Sequence, residues 1–279
     1  MKIAYSNLAC PEWSIEEVFG NAEKFGYDGV ELRLLDGDVI RADIDSATQE
    51  RIMVTARRSG IEVIGIGAST RFALADKSDR DSNVQALLRY VELAARMEVP
   101  IVRTFGGGAN ALPEGDEHRL NRYVDWVADA LNQVAPRAEA LGVQVLLETH
   151  DEFSSSRLVA DVLDLVGSRA VGALWDTHHP YRVGETVAET FRNLEDRLQH
   201  VHLKDARRNG DGWDLVPFDE GEVPVASIVE TLVRSGYDRY LCVEWERKWH
   251  PEIESADLAL PKHLERLRAY LATSESPCE

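Results

Sequence analysis

Cysteine is scarce in this chain of 279 residues: Cys10, Cys242 and Cys278 are the three present. They are odd in number and far apart, which excludes a disulfide framework and a zinc-ribbon spacing. Cys242 falls in an apolar strand pattern and reads as a buried thiol, so a reducing, cytoplasmic setting is expected. Long apolar runs are also missing, and no membrane-spanning helix is expected. The start, Met1-Lys2-Ile3-Ala4-Tyr5-Ser6-Asn7, lacks the apolar stretch of a signal peptide and reads as a first strand. Basic residues are short: 31 Lys and Arg stand against 49 Asp and Glu, a net charge of −18. Such a balance disfavours nucleic acid as a partner, because that affinity comes from neutralising phosphates. Complete glycine signatures are absent as well. Gly65-Ile66-Gly67-Ala68-Ser69-Thr70 lacks the third glycine of a dinucleotide fingerprint. Gly106-Gly107-Gly108 is not followed by Lys-Ser/Thr, which excludes a phosphate loop and leaves a flexible connection.

What is present is an alternation. Hydrophobic residues at 44% and charged residues at 29% are ordinary for a globular protein, of a size that suits one large α/β domain or two small ones. Eight runs read as strands: Ile3–Ser6, Gly29–Arg33, Glu62–Ile66, Ile101–Thr104, Val143–Glu148, Val171–Asp176, His200–Lys204 and Tyr240–Glu244. Amphipathic stretches separate them. Ser14, with Glu17 three residues on, has the spacing of a capping box for a helix over 15–25. Asp45 is placed to cap a helix over 47–59, Asp116 to open one running to Leu141, and Ser154–Ser156 to cap one ending at Gly167. Gly26, Gly60, Gly142 and Gly236 stand where helices should stop. Strands alternating with helices imply parallel pairing through right-handed crossovers. Eight such units fill the length of a (β/α)8 TIM barrel, and no change in composition marks a boundary, so one domain over 1–279 is expected.

In such a barrel the C-terminal strand ends carry the chemistry. Four successive ends are polar here: Glu148-Thr149-His150, Asp176-Thr177-His178-His179, His200-Val201-His202-Leu203-Lys204-Asp205, and Glu244-Trp245-Glu246. A carboxylate ending an apolar strand is costly unless it is paired or bound to a metal. One would read as an ion-pair partner; Glu148, Asp176, His202 and Glu244 in sequence point instead to a metal. Three carboxylates and an imidazole make a hard, oxygen-rich donor set, suited to Mn²⁺, Mg²⁺, Co²⁺ or Zn²⁺ rather than to a structural zinc. They leave a divalent site formally at −1, with room for a carboxylate to take and return a proton.

These segments, with Gly29-Val30-Glu31-Leu32-Arg33, resemble the xylose-isomerase-like barrels, which include sugar epimerases, isomerases, inosose dehydratases and apurinic-site endonucleases. The resemblance covers the whole chain. It implies one divalent ion, Mn²⁺ first, held by Glu148, Asp176, His202 and Glu244, with the two glutamates as acid and base on opposite faces of the substrate. It further implies substrate contacts from His179 and from Arg208, with Arg207 adjacent. The implied reaction is isomerisation or epimerisation of a keto-sugar, by proton abstraction next to a carbonyl through a metal-stabilised enediolate. Elimination from a keto-sugar, a 3-keto-glycoside or an inosose uses the same constellation and is the alternative. An endonuclease would need further His and Glu ligands at strand ends three and four. Gly67-Ala68-Ser69 and Arg103-Thr104-Phe105 supply none, and no basic stripe is present.

Other polar residues keep two readings each. Glu31 and Arg33 are an internal ion pair or a contact to a substrate hydroxyl. Lys204 touches substrate or pairs with Asp205. His150 supports the metal ligands or bonds a loop. His178 is solvated or stands behind the ligands. His200 reads as a satisfied barrel histidine. Trp13, Phe72, Trp175 and Trp245 are packing residues or a floor for a sugar ring. The loop Glu246-Arg247-Lys248-Trp249-His250 is denser than a plain connection. It resembles that of family members related to enzymes that eliminate from 3-keto-glycosides, and the resemblance implies a keto-sugar or keto-inositol with a larger substituent. The expected partner is a small sugar or polyol, with neither nucleic acid nor membrane. The segment after Pro251 is a candidate surface for a second copy.

Overall fold

A computed structural model describes residues 1–107 and 118–274. Asp116, expected to open a helix, and Gly108 and Cys278 lie outside the described residues. Eight strands close into a parallel barrel: β1 Lys2–Ser6, β2 Gly29–Leu32, β3 Glu62–Gly67, β4 Ile101–Phe105, β5 Gln144–Glu148, β6 Val171–Asp176, β7 Leu198–Leu203 and β8 Tyr240–Val243. The ring runs β1-β8-β7-β6-β5-β4-β3-β2, so each strand lies beside its sequence neighbours and β8 returns to β1. This is the expected (β/α)8 fold. The helices are α1 Ile15–Phe25, α2 Ser46–Ser59, α3 Lys77–Arg96, α4 Arg119–Leu141, α5 Ser156–Leu165, α6 His178–Arg182, α7 Val187–Leu194, α8 Val225–Arg234 and α9 Ala256–Ser274.

Helix α1 shows how local sequence sets the frame. Ser14 Oγ accepts from Glu17 N, the Glu17 carboxylate accepts from Ser14 N, and Gly26 ends the helix at φ +92°. A cap of this kind stabilises a helix by about 1 kcal/mol. Ile15, Val18, Phe19 and Ala22 bury one face. Helix α5 departs from expectation. Ser155 precedes it but makes no capping bond to its backbone. Ser155 Oγ, Ser156 N and Ser156 Oγ instead donate to the Glu185 carboxylate, which serves as the cap from outside the local sequence.

The contacts define two compact units. Met1–Ile40, Ser46–Ile64 and Val201–Glu279 form the first, which holds β1, β2 and β8. Its register runs Glu31 beside Ser6, Ala4 beside Cys242, and Cys242 beside His202. Ala4, Ile64 and Cys242 form a buried cluster with Tyr240 packed against it. Arg41–Asp45 and Gly65–His200 form the second unit, with β4, β5 and β6. There Phe105 pairs with Glu148, and Glu148 with Leu174. All six residues of β6 are buried.

Two short hairpins were not legible as strands: Leu34–Leu35 with Asp38–Val39, and Asp205–Asn209 with Gly212–Val216. The second turns at Gly210-Asp211, with Gly210 at φ +59°. It carries Arg207 and Arg208 directly after β7. Gly106 and Gly107 are packed rather than loose. A Cβ on Gly106 would meet the Phe153 ring at 2.6 Å, and one on Gly107 would meet Asp151 Cβ at 2.7 Å. The absence of a Cβ at both positions is what lets the end of β4 approach the turn after β5. No described helix is long and apolar enough to cross a membrane.

Candidate metal centre

Glu148 ends β5 with its side chain buried. Arg103 on β4, also buried, places Nε 3.2 Å from Glu148 Oε2. Arg103 Nη1 donates to the Ala68 carbonyl at 3.0 Å, and the guanidinium lies 4.1 Å from the Phe105 ring centre. Asp176 ends β6. Its backbone N donates to Thr149 Oγ1, and its Oδ1 accepts from His178 N at 3.0 Å, so the first turn of α6 fixes the carboxylate. His179 Nε2 lies 3.4 Å from Asp176 Oδ2. The His179 ring packs on His150 at 4.4 Å, and His150 packs on Phe105 at 4.5 Å.

His202 on β7 is fully buried. Its Nε2 is 2.9 Å from Glu31 Oε2, and its Nδ1 is 3.3 Å from Glu244 Oε1. Glu244 follows β8 and is held by its backbone N, which donates to the Leu203 carbonyl at 3.0 Å. Its Oε2 pairs with Lys204 Nζ at 2.6 Å, and Lys204 also pairs with Glu246. Burial pushes the Glu244 carboxyl up, but His202 and Lys204 outweigh it and hold the group well below the usual carboxylate range.

One donor atom from each of Glu148, Asp176, His202 and Glu244 lies within 4.8 Å of the others, and all four residues are buried. The donor set fits a divalent cation. Three carboxylate oxygens and one imidazole are hard-to-borderline ligands, and buried carboxylates gathered this closely need a positive charge.

The remaining residues fall as follows. Lys204 does not pair with Asp205. The Asp205 carboxylate accepts from the backbone N–H groups of Ala206, Gly221 and Val223, tying down the hairpin instead. His178 is buried, not solvated. Glu31 is buried, with Oε2 2.9 Å from His202 Nε2. His200 is buried and lies with Glu31, His202 and Cys242 in a second group of donor atoms within 4.8 Å. Arg208 is exposed on the hairpin, its guanidinium 5.2 Å from the Trp213 ring centre. Phe72, Trp175 and Trp245 are buried, and Trp13 packs on Phe25. After β8, Lys248 Nζ donates to the Gly37 carbonyl at 2.7 Å, and Arg247 pairs with Glu12. Sequence reading missed Arg103. The available signal was an arginine inside the apolar strand Ile101-Val102-Arg103-Thr104-Phe105, which demands a buried partner.

Residues 19–270 match the family model described as a xylose isomerase-like TIM barrel, and the chain belongs to that family. The fructoselysine 3-epimerase of Shigella flexneri is 25% identical over 273 residues, covering 94% of this chain and 95% of that one. An inosose dehydratase of Mesomycoplasma hyopneumoniae is 22% identical over 274 residues, covering 88% and 87%. Among solved structures, the IolI protein with a bound zinc atom superposes with a TM-score of 0.80 at 16% identity, covering 99% of this chain and 100% of that one. That last likeness is one of fold.

Proposed function

We propose that this chain, acting as one barrel domain, is a divalent-metal-dependent epimerase or isomerase of a keto-sugar. It removes the proton on the carbon next to the carbonyl. The convergence of Glu148, Asp176, His202 and Glu244 carries this reading. Mn²⁺ is the proposed ion, since oxygen-rich donors with one imidazole suit it. When bound, the cation polarises the sugar carbonyl and so acidifies the neighbouring C–H.

Glu148 and Glu244 are the proposed bases. Each has one oxygen beside a buried cation, Arg103 Nε at 3.2 Å and Lys204 Nζ at 2.6 Å. That pairing fixes each carboxylate, and at Glu244 the neighbouring His202 and Lys204 hold the group ionised. A positioned base of this kind contributes about 10²–10⁴-fold. One glutamate removing a proton from the carbon next to the carbonyl and returning it on the same face to the former carbonyl carbon gives isomerisation. Removal of the proton by one glutamate, ionised, and delivery of a proton to the opposite face by the other, protonated, inverts the carbon. His179, next to Asp176, and Arg208, on the hairpin after β7, are the proposed substrate contacts. Epimerisation of fructoselysine by a relative supports a ketose that carries a substituent, in keeping with the crowded loop after β8.

The inosose dehydratase relative favours a second reading, elimination, in which the same proton abstraction is followed by loss of a β-leaving group. The cysteine usage supports a cytoplasmic enzyme. The test is a panel: Mn²⁺-loaded protein with free ketoses, fructoselysine, 3-keto-glucosides and scyllo-inosose. An inverted product supports the first reading and an unsaturated one the second. Turnover of free ketoses alone contradicts the substituted substrate.

A further inference from the structure

We propose that Glu31 is a positioning residue of the metal centre: it accepts the Nε2–H of His202 and thereby turns the Nδ1 lone pair toward the cation. This rests on the metal-centre reading above. A neutral imidazole has one N–H donor and one lone pair, and only the nitrogen with the lone pair can bind a metal. The two ring nitrogens of His202 face two different carboxylates. Nδ1 is 3.3 Å from Oε1 of Glu244, one of the four residues of the donor group. Nε2 is 2.9 Å from Glu31 Oε2, which does not. An ionised carboxylate only accepts, so Glu31 selects the tautomer protonated at Nε2. The carriers are held in register across four consecutive strands, with Glu31 beside Ser6, Ala4 beside Cys242, and Cys242 beside His202. Glu31 is 1% exposed, so its bond to the histidine is shielded from water.

Glu31, His200, His202 and Cys242 also gather donor atoms within 4.8 Å, a set chemically suited to zinc. A cation there would take His202 through Nε2. His202 could then serve both ions only as an imidazolate, with no N–H proton left. The hydrogen-bonding distance between Nε2 and Glu31 points instead to one metal and one orienting carboxylate.

The test titrates Mn²⁺ into metal-free protein without substrate, by calorimetry, for wild type, Glu31→Ala and Glu31→Gln. Wild type should bind one ion per chain. Glu31→Ala should weaken binding by about 10–100-fold. Glu31→Gln keeps an acceptor of the same shape and should recover part of that loss; it also decides the matter if the alanine variant does not fold. Spectra of ¹⁵N-histidine-labelled protein, assigned with His202→Asn, should show His202 protonated at Nε2 in wild type and a mixture of tautomers in Glu31→Ala. Unchanged affinity and tautomer in both variants overturn the role of Glu31 while leaving the metal centre standing. Unchanged affinity with a raised KM assigns Glu31 to substrate and overturns it too. A second equivalent of Zn²⁺ that is lost on Glu31→Gln overturns it in favour of a second site. Wild type that binds no divalent ion overturns the metal centre and this inference with it.

Discussion

Arg103 Nε lies 3.2 Å from Glu148 Oε2, and neither side chain is more than 3% exposed. Two charges this deeply buried each lose hydration, and the pair is tolerable only while both members stay. Arg103→Met should therefore cost metal-free protein about 3–5 kcal/mol of stability. Glu148→Gln added to it should restore most of that loss, because the orphaned charge is gone. Urea unfolding in chelator measures the cycle. Costs that simply add, within about 0.5 kcal/mol, would mean the two side chains are uncoupled.

The legible part of this protein was what repeats or stands next to its neighbours in sequence. The eight strands follow from apolar runs set between helical stretches, and the Ser14–Glu17 cap follows from its spacing. The four proposed ligands were visible because each is a charged or imidazole group ending an apolar strand. What depends on pairing across the barrel was hidden. Arg103 meets Glu148 from the adjacent strand, Glu31 meets His202 from a strand 171 positions away in sequence, and Lys204 turns to Glu244 and Glu246 rather than to neighbouring Asp205. Single-strand patterns show which way a side chain points, not what it meets. The hairpin after β7 was missed for a related reason: its strands are half exposed and charged, so they lack the apolar signature of the barrel strands.

His263 on α9 is 2% exposed and sits between the Phe218 ring at 4.2 Å and the Trp245 ring at 5.1 Å. Burial, helped by Lys262, lowers its pKa to about 3. The unfolded chain holds a proton on this residue below about pH 6.5 while the folded chain does not. Its stabilising effect is therefore complete above pH 6.5 and is lost as pH falls toward 3, by about 1.4 kcal/mol per pH unit. His263→Phe should remove that part of the pH dependence between pH 6 and 4.5, read by urea unfolding in chelator. Parallel curves for the two proteins would contradict it.

Glycine substitutions should separate close approach from mere flexibility. Gly106→Ala drives a methyl into the buried Phe153 ring and should cost about 1–3 kcal/mol. Gly20→Ala, inside α1 with no atom beyond its chain neighbours and its own helix backbone within 4 Å of the new carbon, should stabilise by about 0.5–1 kcal/mol. Thermal unfolding of both variants checks the pair. A neutral Gly106→Ala would return the segment to the status of a loose loop.

In the proposed mechanism Glu148 and Glu244, gathered with Asp176 and His202 around a divalent cation, remove a proton next to a sugar carbonyl. Incorporation of solvent deuterium into a substituted ketose or a 3-keto-glucoside tests it most directly. Mn²⁺-loaded wild type should place deuterium on the carbon next to the carbonyl. Chelated protein should place none, and Glu148→Gln and Glu244→Gln should each slow incorporation by about 10²-fold or more. Wild type that incorporates no deuterium across the sugar panel, or incorporates it equally with both glutamates replaced, would contradict the account.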